Sequence, residues 1–198
     1  MRELPKVKDL IEDIPVNSPY EKYPRLRSEK FIVADALELK DFENVLEVGT
    51  QWGESLLAIK HLFPDKKLTG IDNDQNFIDA ANKTGIDIRY ADVKYLPFKD
   101  NSFDVVFTNA LLCMITPDEI ESALKSIIRV AKKYIILVEF ETKGAIEYID
   151  KGKDSRAGAD YVKLFKKYGF EATKRLIPKE VWPSELWIRH GRIYEIKL

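Results

Sequence analysis

The stretch VLEVGTQWGESL, residues 45–56, limits what this chain can fold into more than any other. An apolar run breaks at Gly49, a second glycine follows at Gly53, and Leu56, Leu57, Ile59, Leu62 and Phe63 then recur at helical spacing until Pro64 stops them. That is a strand passing through a tight loop into an amphipathic helix. In a parallel sheet such a loop stands at the carboxyl end of the strand, where ligands bind.

The rest of the chain repeats the alternation. KLTGID reads as a second strand, Asp74 as the cap of a helix with Phe77, Ile78 and Ala81 inward, and Gly85 as its terminating glycine. IDIRYAD and SFDVVFTNALL give strands three and four. Thr116, Pro117 and Glu119 spell a capping box before the apolar stripe of Ile120, Leu124, Ile127, Ile128 and Ala131. YIILVEF, apolar almost throughout, is a fifth strand buried on both faces. Residues 141–155 read as a polar surface loop, and ADYVKLFKKYGF as a helix ending at Gly169. FEATKRLI and ELWIRHGRIYEIKL supply late strands, the last as a hairpin about His190 and Gly191.

Composition bounds the partners. The chain has 198 residues, 45% of them hydrophobic, which suits one domain with one filled core. Its 32 basic and 33 acidic side chains nearly cancel, so no global field draws it to nucleic acid or to a membrane. The lone Cys113 excludes an internal disulfide and a cysteine-based zinc site, which suits a reducing cytoplasm. The first residues carry charges and prolines where a signal peptide needs an apolar run, and no segment is long enough to cross a bilayer. A 33% charged fraction leans toward a thermophilic source, and a homodimer stays open.

Two glycine loops can be set aside. A dinucleotide fingerprint needs glycines at the first, third and sixth loop positions, and counting from Gly49 the second and third of these hold Gln51 and Glu54. Glu47 and Glu54 also put carboxylates where a pyrophosphate would lie. A Walker loop fails because no Gly-Lys-Ser/Thr follows.

An acidic setting suits a cationic ligand. EVGTQWG resembles the E-x-G-x-G-x-G loop of the class I S-adenosylmethionine-dependent methyltransferases at Glu47, Gly49 and Gly53 and departs from it at Gln51. LPFKDNSFDVV is similar to the family's segment before strand four almost residue for residue. The resemblance covers about residues 42–140 by motif. It implies a single-domain, doubly wound Rossmann-like α/β fold, a mostly parallel seven-stranded sheet with an antiparallel late strand and helices on both faces. Residues 1–41 would form a helical preface or lid, 42–140 the cofactor-binding core and 141–198 the substrate side.

By the same resemblance S-adenosylmethionine would meet Glu47, Gly49, Thr50, Gln51 and Gly53 of the loop. Asp72 with Asn73 would take the ribose hydroxyls, Asp92 with Val93 the adenine, and Asn109 would border the methyl group. The histidine that many members carry after strand four is replaced here by Cys113 and Met114, so no histidine base carries over, and no aspartate pair accompanies Asn109 to hold magnesium. Candidate substrate-side residues are Glu139, Tyr148, Arg156 and His190; His190 serves equally well as a polar hairpin tip. Arg25, Arg27, Lys151, Lys153 and Arg156 can clamp an anion, or simply line solvated segments. Trp52 packs over the cofactor or over a helix, Cys113 reads as a small buried hydrophobe, and Asp104 as structural. The expected reaction is methyl transfer to a small, anionic acceptor by positioning and desolvation. A catalytically silent partner subunit and an RNA or protein methyltransferase are the alternatives; an Asn-Pro-Pro-Tyr motif is absent, as 109–112 read NALL.

Overall fold

The computed structural model describes residues 28–144, 146–150 and 155–198. A 3₁₀ turn, Ser28–Phe31, leads into α1 (Ile32–Leu37). Then come β1 (Asn44–Val48), α2 (Glu54–Leu62), β2 (Lys67–Asp72), α3 (Gln75–Ala81), β3 (Asp87–Tyr90) and β4 (Phe103–Asn109). The second half holds α4 (Pro117–Val130), β5 (Ala131–Phe140), β6 (Glu147–Asp150), β7 (Arg156–Gly158), α5 (Tyr161–Lys167), β8 (Ala172–Leu176), α6 (Glu185–His190) and β9 (Gly191–Lys197).

Seven strands form one sheet in the order β3-β2-β1-β4-β5-β9-β8, with β6 and β7 as a separate ribbon. β1 to β5 pair in parallel, and β9 runs antiparallel between β5 and β8. This is the expected mostly parallel sheet with one reversed late strand. The order reverses between β1 and β4, so a crevice opens at their carboxyl ends.

Alternation along the central strands feeds two cores. Leu46, Val106, Ile135 and Leu137 pack on the face covered by α4 and α5, while Val45, Phe107, Ile136 and Val138 pack on the face covered by α1 and α2. All eight are fully buried, so β1, β4 and β5 read as apolar runs. The capping signals hold as well. Asp74 accepts from the Asn76 amide, and Thr116 and Glu119 close a capping box on α4. Asp104 is structural, as expected: it accepts from the Glu43 amide at 2.9 Å and pairs with Lys133 at 3.3 Å.

Two expectations are corrected. Residues 141–155 are not all loop, because β6 and β7 pair as a ribbon, with Tyr148 opposite Ala157. ELWIRHGRIYEIKL is not a hairpin. Both edges of β9 are taken, by β5 and β8, which leaves no edge for a strand at 185–190. That segment coils instead, burying Trp187 against Phe140 and stacking it on Trp182 at 3.7 Å. Gly191 makes the abrupt change possible, since a Cβ there would lie 2.5 Å from the Trp187 ring.

Candidate functional site

The loop after β1 takes its shape from three left-handed residues at alternate positions. Gly49 has φ +77°, Gln51 +46° and Gly53 +75°. Gln51 therefore keeps the conformation that a glycine would supply, although its Cβ strains it there. The amides of Gly49 and Thr50 both donate to the Ile71 carbonyl at 2.9 Å, pinning the loop to the end of β2. Gly49 must be glycine on a second ground: an added Cβ would lie 2.6 Å from Leu111 Cδ1, so the loop after β4 presses directly on it.

Asp72 ends β2 nearly buried. One of its oxygens accepts from the Gln51 amide at 2.8 Å and the other from the Asp74 amide at 3.0 Å. A carboxylate offers about four acceptor positions, so two remain for a ligand. Asp92 accepts from the Lys94 amide at 2.8 Å, capping a short 3₁₀ turn, and its remaining oxygen lies 3.6 Å from Lys94 Nζ. Gly49, Asp72, Asn73, Asp92 and Val93 line one cleft together, as their place in the sequence predicts.

Across the loop, Glu47 is buried and accepts from the Thr50 hydroxyl at 2.7 Å. Burial pushes its carboxyl up to about 7, against the pull of Thr50, Lys30 and Ser55. Asn109 donates to Ser55 Oγ at 3.2 Å, so it faces the amino end of α2. Glu54, also buried there, pairs with Lys30 of the N-terminal turn at 3.3 Å. The Trp52 ring packs edge-on to Phe77 of α3 at 4.5 Å.

The substrate-side candidates scatter. Glu139 is corrected as a substrate contact or base: it is wholly buried, and its oxygens accept from Thr108 Oγ1 and the amides of Leu111, Leu112 and Cys113 at 2.8 to 3.1 Å. His190 ends α6, not a hairpin tip, and its carbonyl takes the Glu141 amide at the end of β5. Tyr148 stands on β6, 38% exposed, and Arg156 on β7. Neither lines the cleft of Asp72 and Asp92. The ribbon reaches the site through the Ala157 amide, which donates to the Cys113 carbonyl at 2.9 Å. Cys113 is the buried thiol expected, its pKa pushed up by burial. Arg25, Arg27, Lys151 and Lys153 lie outside the described residues.

Sequence reasoning passed over Lys94, Leu111, Met114, Ile115 and Glu119, which also line the cleft. Three of them belong to the stretch following β4. The rule that ligands bind at strand carboxyl ends picks out that stretch, even though nothing in its residue types marks it. Lys94 is engaged by Glu119 at 2.5 Å as well as by Asp92, so the cleft offers acids and hydrogen-bond acceptors with little free positive charge. That donor set fits a ligand with hydroxyls, an amino group and a positive charge, and disfavours a pyrophosphate. The residues present thus fit S-adenosylmethionine. Among the described residues no group of acids, histidines and cysteines could hold a metal ion, and no helix is long and apolar enough to cross a membrane.

Comparison with known proteins agrees. Residues 45–134 match the family described as methyltransferase domain. The ubiquinone/menaquinone biosynthesis C-methyltransferase of Desulfotalea psychrophila is 32% identical over 110 residues, covering 54% of this chain and 44% of that protein. The match therefore spans less than half of that relative's length. Two solved structures share the fold. The S-adenosylmethionine-dependent methyltransferase of Methanosarcina mazei has a TM-score of 0.65 at 19% identity, over 83% of this chain and 96% of its own. The magnesium protoporphyrin IX methyltransferase of Synechocystis, solved with S-adenosylhomocysteine, has 0.63 at 14%, over 85% and 79%.

Proposed function

We propose that residues 45–134, which match the methyltransferase domain family, form a class I, S-adenosylmethionine-dependent methyltransferase domain, and that the chain transfers a methyl group to a small-molecule acceptor. The observation that carries the reading is the loop of Gly49, Gln51 and Gly53, with the Asp72 carboxylate held beneath it by the Gln51 amide. In this reading Asp72 and Asn73 hold the ribose, Asp92 and Val93 the adenine, and the loop with Glu47 and Thr50 the methionine end. When bound, the cofactor supplies a methyl group already activated on a sulfonium.

The chain's own residues then have to place the acceptor in line with that group and exclude water, work worth on the order of 7 kcal/mol or more. Asn109, tied to Ser55, borders the methyl end. Glu139 is not free to act as a base, because it is spent on the loop after β4. In this reading the acceptor needs only orientation and desolvation; for a hydroxyl acceptor the candidate bases are His190 and Tyr148, neither of which lines the cleft of Asp72 and Asp92. Arg156, next to the Cys113 loop, favours an anionic acceptor, as a charge-assisted hydrogen bond to a carboxylate or phosphate would select it. The C-methyltransferase relative supports a small molecule over nucleic acid. The single cysteine, a buried thiol, supports a reducing, cytoplasmic setting.

The test is calorimetry with S-adenosylhomocysteine and NAD, followed by methyl transfer to a panel of small acids, amines and quinone precursors. We expect micromolar binding of the first ligand and none of the second. With an acceptor in hand, Arg156→Ala should lower turnover with cofactor affinity unchanged. NAD as the tighter ligand, or efficient methylation of bulk RNA, would overturn the reading.

A further inference from the structure

The most heavily bonded side chain near the site is the one that cannot touch a ligand. Glu139 sits near the end of β5, and four donors converge on it from β4 and the segment that follows. Three are consecutive backbone amides, Leu111 to Cys113. They converge because Ala110, just before them, is left-handed with φ +63°, a strained conformation for a residue with a Cβ. Successive amides turned inward in this way make an anion-binding nest. Here the anion is a side chain of the protein itself.

What the nest holds matters on both sides. Leu111 lies against Gly49, so close that a Cβ on Gly49 could not fit, and with Met114 and Ile115 it walls the cleft of Asp72 and Asp92. The Cys113 carbonyl receives the Ala157 amide, which seats the β6–β7 ribbon carrying Tyr148 and Arg156.

We propose that Glu139 is the positioning residue of the site: through the amides of residues 111–113 it fixes Leu111 against the cofactor loop and Cys113 against the ribbon, so that one buried carboxyl sets the geometry at both ends of the methyl-transfer cleft. This rests on the methyltransferase reading above. The carboxylate form is the one that performs this task. An uncharged carboxyl loses the charge assistance on its bonds and turns one oxygen into a donor facing amides that cannot accept.

Burial pushes Glu139 up to about 7 while its four donors pull it down. The groups that face it are the Cys113 thiol on the loop, Tyr161 at the start of α5, Tyr194 and Arg192 on β9, Glu141 just past the end of β5, and Arg156 on β7. Burial pushes Cys113, Tyr161 and Tyr194 upward, away from neutrality. Arg192 is engaged by Glu141 at 2.9 Å. Glu139 thus changes charge near neutral pH; because its four donors favour the charged form, a still-buried Glu139 binds its proton more readily once they leave, so acid should loosen the loop. Glu47, on the other side of the cleft, changes charge in the same range, so the experiment has to separate the two.

S-adenosylhomocysteine is titrated calorimetrically into the wild type and into Glu139→Gln from about pH 5.5 to about pH 8.5. The wild type should lose about fivefold in affinity on the acid side, the equivalent of one weakened hydrogen bond. The glutamine variant should sit near the weaker value throughout. A variant that melts earlier but keeps the wild-type pH profile would assign the profile to Glu47 and a merely structural role to Glu139, overturning the proposal. Absence of binding in both proteins at every pH would overturn the methyltransferase reading and the proposal with it. If the variant does not fold, amide exchange on the wild type decides. Protection at Leu111 to Cys113 should fall below about pH 7 while Val48 and Ile71 keep theirs, and equal behaviour at all five would refute the coupling.

Discussion

Replacing Gln51 by glycine should stabilise this protein, against the usual expectation that a glycine in a loop costs stability. The side chain is exposed, and the group Gln51 contributes to the site is its backbone amide, donated to Asp72 at 2.8 Å. What the side chain brings to the fold is a Cβ held at φ +46°. A left-handed residue with a Cβ is strained by about 1 to 2 kcal/mol. Glycine removes that and gives back about 0.5 to 1 kcal/mol through the freer unfolded chain. The net is about 0.5 to 1 kcal/mol in favour of the variant, or a Tm raised by about 1 to 4 °C for a domain of this size. Urea and thermal unfolding of Gln51→Gly, Gln51→Ala and Gln51→Val measure it. Alanine keeps the Cβ and should match the wild type, while branched valine should fall below it. Affinity for S-adenosylhomocysteine should change by less than about twofold in the glycine variant, because the amide stays in place. A glycine variant no more stable than the alanine one would refute the reasoning.

Two other substitutions test the acids of the cleft. Asp72→Ala should weaken S-adenosylhomocysteine binding by roughly 1.5 to 3 kcal/mol in calorimetry, since it removes a charged acceptor and frees the Gln51 amide, and unchanged affinity would mean that this acid does not meet the ligand. For Glu47 the sign follows from burial: with a folded pKa of about 7 against 4.5 for the free side chain, the native state holds a proton that the unfolded chain has already lost in between. Its contribution is therefore fully present below about pH 4.5 and is lost as pH rises toward 7, on the order of 3 kcal/mol in all. Urea midpoints for the wild type should fall across that window more steeply than those of Glu47→Gln, and parallel curves would show that Glu47 does not titrate there.

Most of the sheet was legible because its signals are local. The capping box at Thr116 and Glu119, the Asp74 cap and the apolar run of β5 each depend on neighbours a few residues away, and each appears where the pattern puts it. The same holds for the cleft acids, since a residue that ends a parallel strand faces the crevice whatever else surrounds it. The misreadings are all non-local. WIRH became a helix because β5 and β8, both outside that segment, already occupy both edges of β9. Residues 147–150 and 156–158 pair as a ribbon, and Cys113 offers Ala157 a backbone partner. Glu139 stood in a promising place for a base, and only the backtracking of residues 110–113 shows that its oxygens are taken.

Four of the acids near the cleft show why residue type and position do not decide chemistry by themselves. Asp72 and Asp92 meet one or two amides each and keep acceptor positions toward the cleft, so they can receive hydroxyl and amino donors. Glu47 meets side-chain hydroxyls in a buried place and becomes an acid poised near neutrality. Glu139 meets three amides and a hydroxyl and has nothing left to offer a ligand. The difference is the number of backbone donors that the fold aims at each carboxyl. A buried carboxylate surrounded by donors therefore belongs to the scaffold, and one with acceptor positions still open toward a cleft belongs to the site. By that measure Asp72 and Asp92 are the acids left with acceptor positions for the ligand we propose, and Glu139 belongs to the scaffold that holds the loop after β4.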